Sequence, residues 1–167
     1  LGAPGRTTVT EPFAAPAGQR GVWLTTTWRY AGARSGCWLA RSTDGVRFRP
    51  ARRTGPGERC RTIALPGRRL LQTFQRRLRR GLPVQTWFRI SADSGRTWAA
   101  PRRLSLLRSS MDTHPVVGPQ GKVWLLHVGR RGRQGALFAS ALGPGGRPRY
   151  PITLTPFSRK RDLTPFG

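Results

Sequence analysis

"RISADSGRTW", residues 89–98, is the stretch from which the fold can be read. Ser91 and Asp93 have short side chains that can accept hydrogen bonds from nearby backbone N–H groups, Gly95 can take a positive φ without steric cost, and Trp98 restarts an apolar strand. The spacing predicts a hairpin turn that satisfies its own backbone. Ser91 has a counterpart 49 residues upstream in "RSTDGVRF", residues 41–48, where Ser42, Asp44, Gly45 and Phe48 repeat the turn one residue shorter. Ser140 stands 49 residues downstream in "ASALGPGGRPRY", residues 139–150, where the Asp is lost but the glycines and a closing aromatic, Tyr150, remain. Three turns share one period.

Apolar strands precede each turn: "CWLA" at 37–40, "TWFRI" at 86–90 and "ALFA" at 136–139. Earlier in each unit a glycine leads into another, "GVWLTTTW" at 21–28, "GRRLLQTF" at 67–74 and "GKVWLLHV" at 121–128, and a strand-like run such as "CRTIAL" at 60–65 or "HPVVG" at 114–118 comes before that. After each turn an aromatic is followed by a proline. Four short strands per unit is the count of a propeller blade. The expected fold is therefore all-β, a propeller-like array of three four-stranded blades near 8–54, 58–106 and 112–155, with a tail over 156–167. With 21 Gly and 15 Pro, helices have little support. The best helical candidate, "LLQTFQRRLRR" at 70–80, fits the repeat better as a strand, because Leu70, Leu71 and Phe74 align with Trp and Leu of the other units.

At 167 residues the chain is long enough to bury a core, and 37% hydrophobic residues with six Trp and seven Phe argue against disorder. The 31 basic against 6 acidic side chains give a formal charge of +25, a self-repulsion that a polyanionic partner would relieve. All of the basic residues but Lys122 and Lys160 are Arg, which suits bidentate binding of phosphate, sulfate or carboxylate. A GC-rich genome explains Arg over Lys, but not the scarcity of Asp and Glu. No window approaches the roughly 18 apolar residues of a membrane-spanning helix. The sequence begins at Leu1 with no charged-then-apolar leader, as expected of a matured product or a fragment. Cys37 and Cys60 are too few for a disulfide scaffold or a zinc site. They are candidates for one disulfide in an oxidising compartment, closing a loop of about 23 residues.

"SADSGRTW" resembles the Asp-box, S-x-D-x-G-x-T-W, of the BNR-repeat proteins, a sialidase-like β-propeller superfamily, and "STDGVRF" looks like a shortened copy. The resemblance covers roughly residues 8–155 under the repeat logic. It implies a structural role for Ser42, Asp44, Gly45, Phe48, Ser91, Asp93, Gly95 and Trp98, in a turn on the rim away from the active site. Sialidases resemble six-bladed rings, so three repeats are half of one. Self-association, a second half-propeller chain, or an open stack with covered edges would each account for the count. The resemblance also makes catalysis a hypothesis to test. That family uses an arginine triad, a tyrosine activated by a glutamate, and an aspartate acid. Here Asp44 and Asp93 are committed to turns, which leaves Glu11, Glu58, Asp112 and Asp162 with Tyr30 and Tyr150, and no Glu lies in the required pattern. His114 and His127 read as partly buried, hydrogen-bonded strand residues. No catalytic residue, metal site or cofactor is assigned.

The basic runs support binding instead. "RPARR", "QRRLRR", "PRR" and "GRRGR" contribute Arg52, Arg53, Arg76, Arg77, Arg79, Arg80, Arg102, Arg103, Arg130, Arg131 and Arg133, mainly in turns or outer strands. A basic stripe of this kind would hold DNA, RNA or an anionic polysaccharide electrostatically. The expected function is a non-catalytic binding or assembly module for an acidic polymer, extracellular or at the cell surface. The alternative is a sialidase-like glycoside hydrolase completed by a second half-propeller.

Overall fold

The computed structural model describes residues 7–17, 21–30, 35–77, 82–104, 109–131, 134–143, 146–149, 151–156 and 158–159. They form three antiparallel sheets, each built from consecutive strands. The first holds β1 (Thr7–Pro16), β2 (Val22–Tyr30), β3 (Gly36–Ser42) and β4 (Arg52–Pro56). The second holds β5 (Glu58–Leu65), β6 (Arg69–Arg76), β7 (Gln85–Ser91) and β8 (Arg102–Arg103). The third holds β9 (Ser109–Val117), β10 (Val123–Arg131), β11 (Gln134–Ala141) and β12 (Ile152–Thr153), with β13 (Ser158–Arg159) also paired to β11. A 3-10 turn, Pro119–Gly121, precedes β10, and no α-helix occurs among the described residues. The fold is thus all-β with three four-stranded blades. Residues 69–76 are strand β6, Arg77 follows it without regular structure, and 78–80 of the helical candidate lie outside the described residues.

Strand alternation decides what each sheet shows its neighbours. On the second sheet Leu70, Gln72 and Phe74 pair with Ser91, Arg89 and Trp87 and turn toward the first sheet. Leu71 and Thr73 pair with Ile90 and Phe88 and turn toward the third. We call these the near and far faces. Both are covered, so β6 is buried at every position except its two ends, Arg69 and Arg76. The joint between first and second sheets brings Trp23 and Leu39 against Leu70, with Trp98 packed at its margin. The joint between second and third brings Ile63, Leu71 and Phe88 against Val123 and Leu125. Burying each of these large side chains contributes about 1.5–3 kcal/mol.

The first strands lie innermost, where β5 packs against both β1 and β9. Each carries a bulge. The register slips between Thr10 and Phe13 in β1, between Glu58 and Arg61 in β5, and opposite Leu126–Val128 in β9. The fourth strand of the second sheet starts later than the sequence predicts. Trp98 does not restart a strand: Ala99 N–H donates to Ile90 O at 2.9 Å, and regular pairing resumes only at Arg102. Pro101 removes a donor just before that point.

Candidate functional site

The two Asp-containing turns are built alike. In the turn after β7, Ser91 Oγ accepts from Asp93 N–H at 3.3 Å and Gly95 N–H at 2.7 Å while donating to Asp93 Oδ1 at 2.7 Å. Asp93 accepts from Thr97 N–H at 2.9 Å and Thr97 Oγ1–H at 2.7 Å. In the shorter turn after β3, Ser42 Oγ accepts from Gly45 N–H at 2.8 Å, and Asp44 Oδ1 accepts from the N–H groups of Val46 and Arg47, both at 2.9 Å. The Arg47 and Val46 N–H groups and the Ser42 hydroxyl hold Asp44 down to about 2. The Thr97 N–H and hydroxyl, then the Ser91 hydroxyl, hold Asp93 well below the ordinary carboxylate range. Gly45, Gly95 and Gly146 take φ of 79°, 77° and 69°, the left-handed region each turn needs.

The closing aromatics part company. Trp98 is half-buried with the Arg89 guanidinium 4.9 Å over its ring, whereas its counterpart Phe48 is 41% exposed. The reason is positional. The Trp98 turn lies in a joint between sheets, but the Phe48 turn belongs to the first sheet's near face, which no described sheet covers.

On the same rim, the joint between first and second sheets opens into a cleft of about 240 Å³. Arg41, Arg49, Arg52, Arg68 and Arg96 line it with Pro50 and Ser94, over buried Trp23 and Leu39, and no carboxylate belongs to its walls. β3 and the turn after it supply Arg41 and Arg49, β4 supplies Arg52, and the hairpin between β5 and β6 supplies Arg68. Arg41 is fixed 5.3 Å over the Trp23 ring. Arg52 Nη2 reaches across the joint to Ser94 O at 3.1 Å. The second joint repeats that reach: Arg102 sits opposite Phe88 as Arg52 sits opposite Leu39, and its Nη1 approaches Gly146 O at 3.5 Å. A wider cleft of about 490 Å³ lies there, lined by Arg69, Arg89 and Arg102 with Phe88, Trp98 and Gly146 among its walls.

Of the arginines singled out in sequence, Arg52 and Arg102 therefore reach the clefts, one in each. Arg53 and Arg103, one residue on, point to the near faces, and Arg53 lies beside Gly36. Arg76 stacks 5.9 Å over Trp87, Arg77 donates to Leu82 O at 3.4 Å, and Arg130 is half-buried at the end of β10. These stations are separate from the clefts. Arg131 is in β10, and Arg79, Arg80 and Arg133 lie outside the described residues, as do Tyr150 and Asp162. Arg41, Arg49, Arg68 and Arg96 escaped the reading because they fall singly or at the ends of runs, brought together only by the joint.

Arg89 was also missed. It is 6% exposed, its guanidinium is sandwiched between Phe74 and Trp98, and Nε and Nη2 donate to Gln72 Oε1 at 3.1 and 2.5 Å. Burial brings it down to about 10, so it remains a cation at neutral pH.

Two of the carboxylates considered for catalysis, Glu58 and Asp112, have other duties. Glu58 Oε1 accepts from Ser35 Oγ at 2.9 Å. Asp112 forms an ion pair with Arg59; both residues have φ of 49°, and they join the bulges of β5 and β9. His127 is fully buried, stacked on Phe138 with its Nε2 3.2 Å from Ser140 Oγ, and burial brings it down to about 4. His114 is brought down to about 4 by burial and then by the Arg61 charge. No group of three metal-ligating side chains occurs among the described residues. A disulfide joins Cys37 of β3 to Cys60 of β5, tying first sheet to second across a Cα–Cα distance of 5.6 Å.

No protein-family model matches the chain. No curated protein matches it in sequence. Solved structures share its fold. A protein of unknown function from Dyadobacter fermentans DSM 18053 is similar with a TM-score of 0.66 at 12% identity, over 88% of this chain and 55% of that one. A thermostable family-43 glycoside hydrolase gives 0.63 at 10% identity, over 93% and 56%. The Hadza microbial sialidase Hz136 gives 0.64 at 12% identity, over 86% and 37%. The chain thus spans about half the length, or less, of the structures it matches, and its fold is that of propeller-type glycoside hydrolases and sialidases.

Proposed function

We propose that the chain is a non-catalytic binding module that holds an acidic polymer, a nucleic acid or an anionic polysaccharide, along the rim where its Asp-containing turns meet. The observation that carries this reading is the first cleft. Five arginines converge on an indole floor without a carboxylate among them, the second cleft adds Arg69 and Arg102, and the two follow one another along one rim. Guanidinium groups are suited to bidentate contact with phosphate, sulfate or carboxylate, and successive clefts suit a ligand whose charges repeat. A disulfide between the first two sheets supports an oxidising, extracellular setting.

The test is binding of a DNA duplex and of heparin across a salt series. Affinity should fall steeply with salt, and Arg41→Ala/Arg49→Ala/Arg96→Ala should lower the magnitude of the DNA salt slope by roughly 3. Absent binding, or binding indifferent to both salt and the triple substitution, would count against the proposal.

A glycosidase completed by a second half-propeller is the competing reading. It is favoured by the sialidase and glycoside hydrolase neighbours and by the position of Glu58 and Asp112 on the innermost strands. Turnover of a generic sialoside, abolished by Asp112→Asn, would establish it instead.

A further inference from the structure

The first cleft differs from the rest of the basic surface in drawing its charge from both sides of a joint. Arg41, Arg49 and Arg52 come from the first sheet and Arg68 and Arg96 from the second, and among the described residues no carboxylate stands in its walls. Two of the five guanidinium groups are placed in advance: Arg41 lies 5.3 Å over the Trp23 ring, and Arg52 is held by Ser94 O at 3.1 Å. The backbone that carries Arg68 is fixed as well. Arg68 and Ser94 have left-handed φ of 61° and 56°, which a non-glycine residue adopts at a cost, and Ser94 N–H joins them by donating to Arg68 O at 2.9 Å. The side chains of Arg49 and Arg96, one on each side of the joint, have no hydrogen-bond or ion-pair partner among the described residues.

We propose that this cleft takes one tetrahedral oxyanion group, a sulfate ester or a phosphate monoester, held from both sheets at once; this rests on the reading of the rim as a polyanion surface and names the group it selects. Shape carries the argument. A carboxylate presents one planar edge, which a single bidentate guanidinium fills. A phosphate monoester presents three acceptor oxygens directed apart, as a sulfate ester does, and these can meet guanidinium groups arriving from opposite walls. The diester of a nucleic acid backbone has fewer free oxygens. Size agrees, since about 240 Å³ is below the roughly 300–1,000 Å³ of ordinary small-molecule pockets and suits one such group. Trp23 is 6% exposed beneath Arg41, so a nucleobase finds no open ring to stack on there. The second cleft lacks the two-sided arrangement: Arg69 and Arg102 both belong to the second sheet, and Gly146 brings no charge from beyond the joint.

An anion held in this way ties the two sheets at the cleft. The disulfide ties them toward the other end of the same joint, since Cys37 lies at the start of β3 and Arg41 near its end. Occupancy should therefore protect both walls, whereas an anion held by one arginine would protect only one.

The experiment is calorimetric titration of the 167-residue chain with inorganic sulfate and with malonate at one ionic strength, two dianions that differ in shape and not in charge. Sulfate should bind about tenfold more tightly or better, the worth of one charge-assisted hydrogen bond. It should also slow hydrogen exchange both in the turn around Arg49 and in the hairpin around Arg68. Arg49→Ala/Arg96→Ala should abolish the preference, whereas Arg53→Ala, which removes a charge beside Gly36 and outside the cleft, should keep it; all three positions are exposed. Two further arms separate the sources of the group. Heparin displaced by inorganic sulfate but not by malonate marks a sulfate ester, and an oligonucleotide bound more tightly with a terminal phosphate than with a terminal hydroxyl marks a phosphate monoester. Sulfate binding no tighter than malonate, or a preference that survives Arg49→Ala/Arg96→Ala, would overturn the inference even where heparin and DNA bind with steep salt dependence. A preference that resides in the cleft while neither polymer binds would instead overturn the polymer reading and leave the assignment of the group standing.

Discussion

The two internal joints come from the same repeat and are held in different ways. Between first and second sheets polar and covalent links supplement the apolar contact of Trp23 and Leu39 with Leu70: the Cys37–Cys60 disulfide, Cys60 N–H donating to Thr27 Oγ1 at 3.2 Å, and Thr54 Oγ1 donating to Gln72 Oε1 at 3.0 Å. Arg89 is buried in the same joint. Between second and third sheets the contact is chiefly apolar, with Phe88, Leu71 and Ile63 against Leu125 and Val123. It is trimmed by Arg61 Nη1 donating to Thr113 O at 2.7 Å and by the Thr86–Thr113 hydroxyl pair at 2.8 Å. A blade repeat therefore constrains strand order and turn geometry but leaves the chemistry of each joint free. Where apolar packing is dense no cross-link is present, and where a cation is buried a disulfide supplements the packing.

The largest effect should come from cutting into the apolar joint. Phe88 is 1% exposed, and Phe88→Ala removes a ring from contact with both sheets, at a cost of about 3–5 kcal/mol in chemical denaturation. Reduction of the disulfide, or Cys37→Ser/Cys60→Ser, should cost about 3 kcal/mol on the chain-entropy model for its loop. The two losses differ in kind. The first should loosen the second and third sheets together, while the second should raise hydrogen exchange mainly in β3 and β5. Equal exchange in both variants would show that the joints do not differ in the way proposed.

Acid should find the apolar joint before the polar one. His127 lies on the third sheet's near face, and burial brings it down to about 4 against about 6.5 in an unfolded chain. Between those values the unfolded chain binds more protons, so this stability is present at neutral pH and lost as pH falls from about 6.5 toward 4. Lowering the pH from 7 to 5 should remove about 2 kcal/mol through His127. His114 acts in the same direction. His127→Gln should flatten that part of the pH profile. An unchanged profile would mean that another group carries it.

Much of the fold is legible because it is written in spacing. The period of 49 residues, the Ser and Asp of the turns and the apolar runs before them place the strands, and a glycine-rich turn marks the third unit even without its Asp. The clefts are not legible, because they are made across joints. Arg52 and Arg53 are neighbours in sequence, yet pairing sends one to a cleft and the other to the opposite face. Arg41 corresponds by period to Ile90, so the repeat itself gives no hint that this position bears a charge in the first cleft. Arg89 looks like one more surface cation in "TWFRI" and is buried, because Gln72 and two aromatic rings stand ready on adjoining positions.

The smallest effect separates the two Asp turns. Asp93 and Asp44 make comparable hydrogen bonds within their turns, and local chemistry alone would predict equal losses on substitution by Asn. Surroundings separate them. Ser94, next to Asp93, accepts Arg52 through its carbonyl and donates its N–H to Arg68 O at 2.9 Å, so a disturbed Asp93 turn also loosens the joint. The Asp44 turn borders open space beyond Gly45. Asp93→Asn should therefore lower the melting temperature by several degrees and Asp44→Asn by distinctly less, measured on the monomer at pH 7. Both carboxyls are held below their ordinary range, so their contribution is present above about pH 4 and lost as pH falls toward 2. The gap between the two variants should accordingly close in acid. A gap that persists at pH 2 would assign the difference to the shape of the turn and not to the charge it holds.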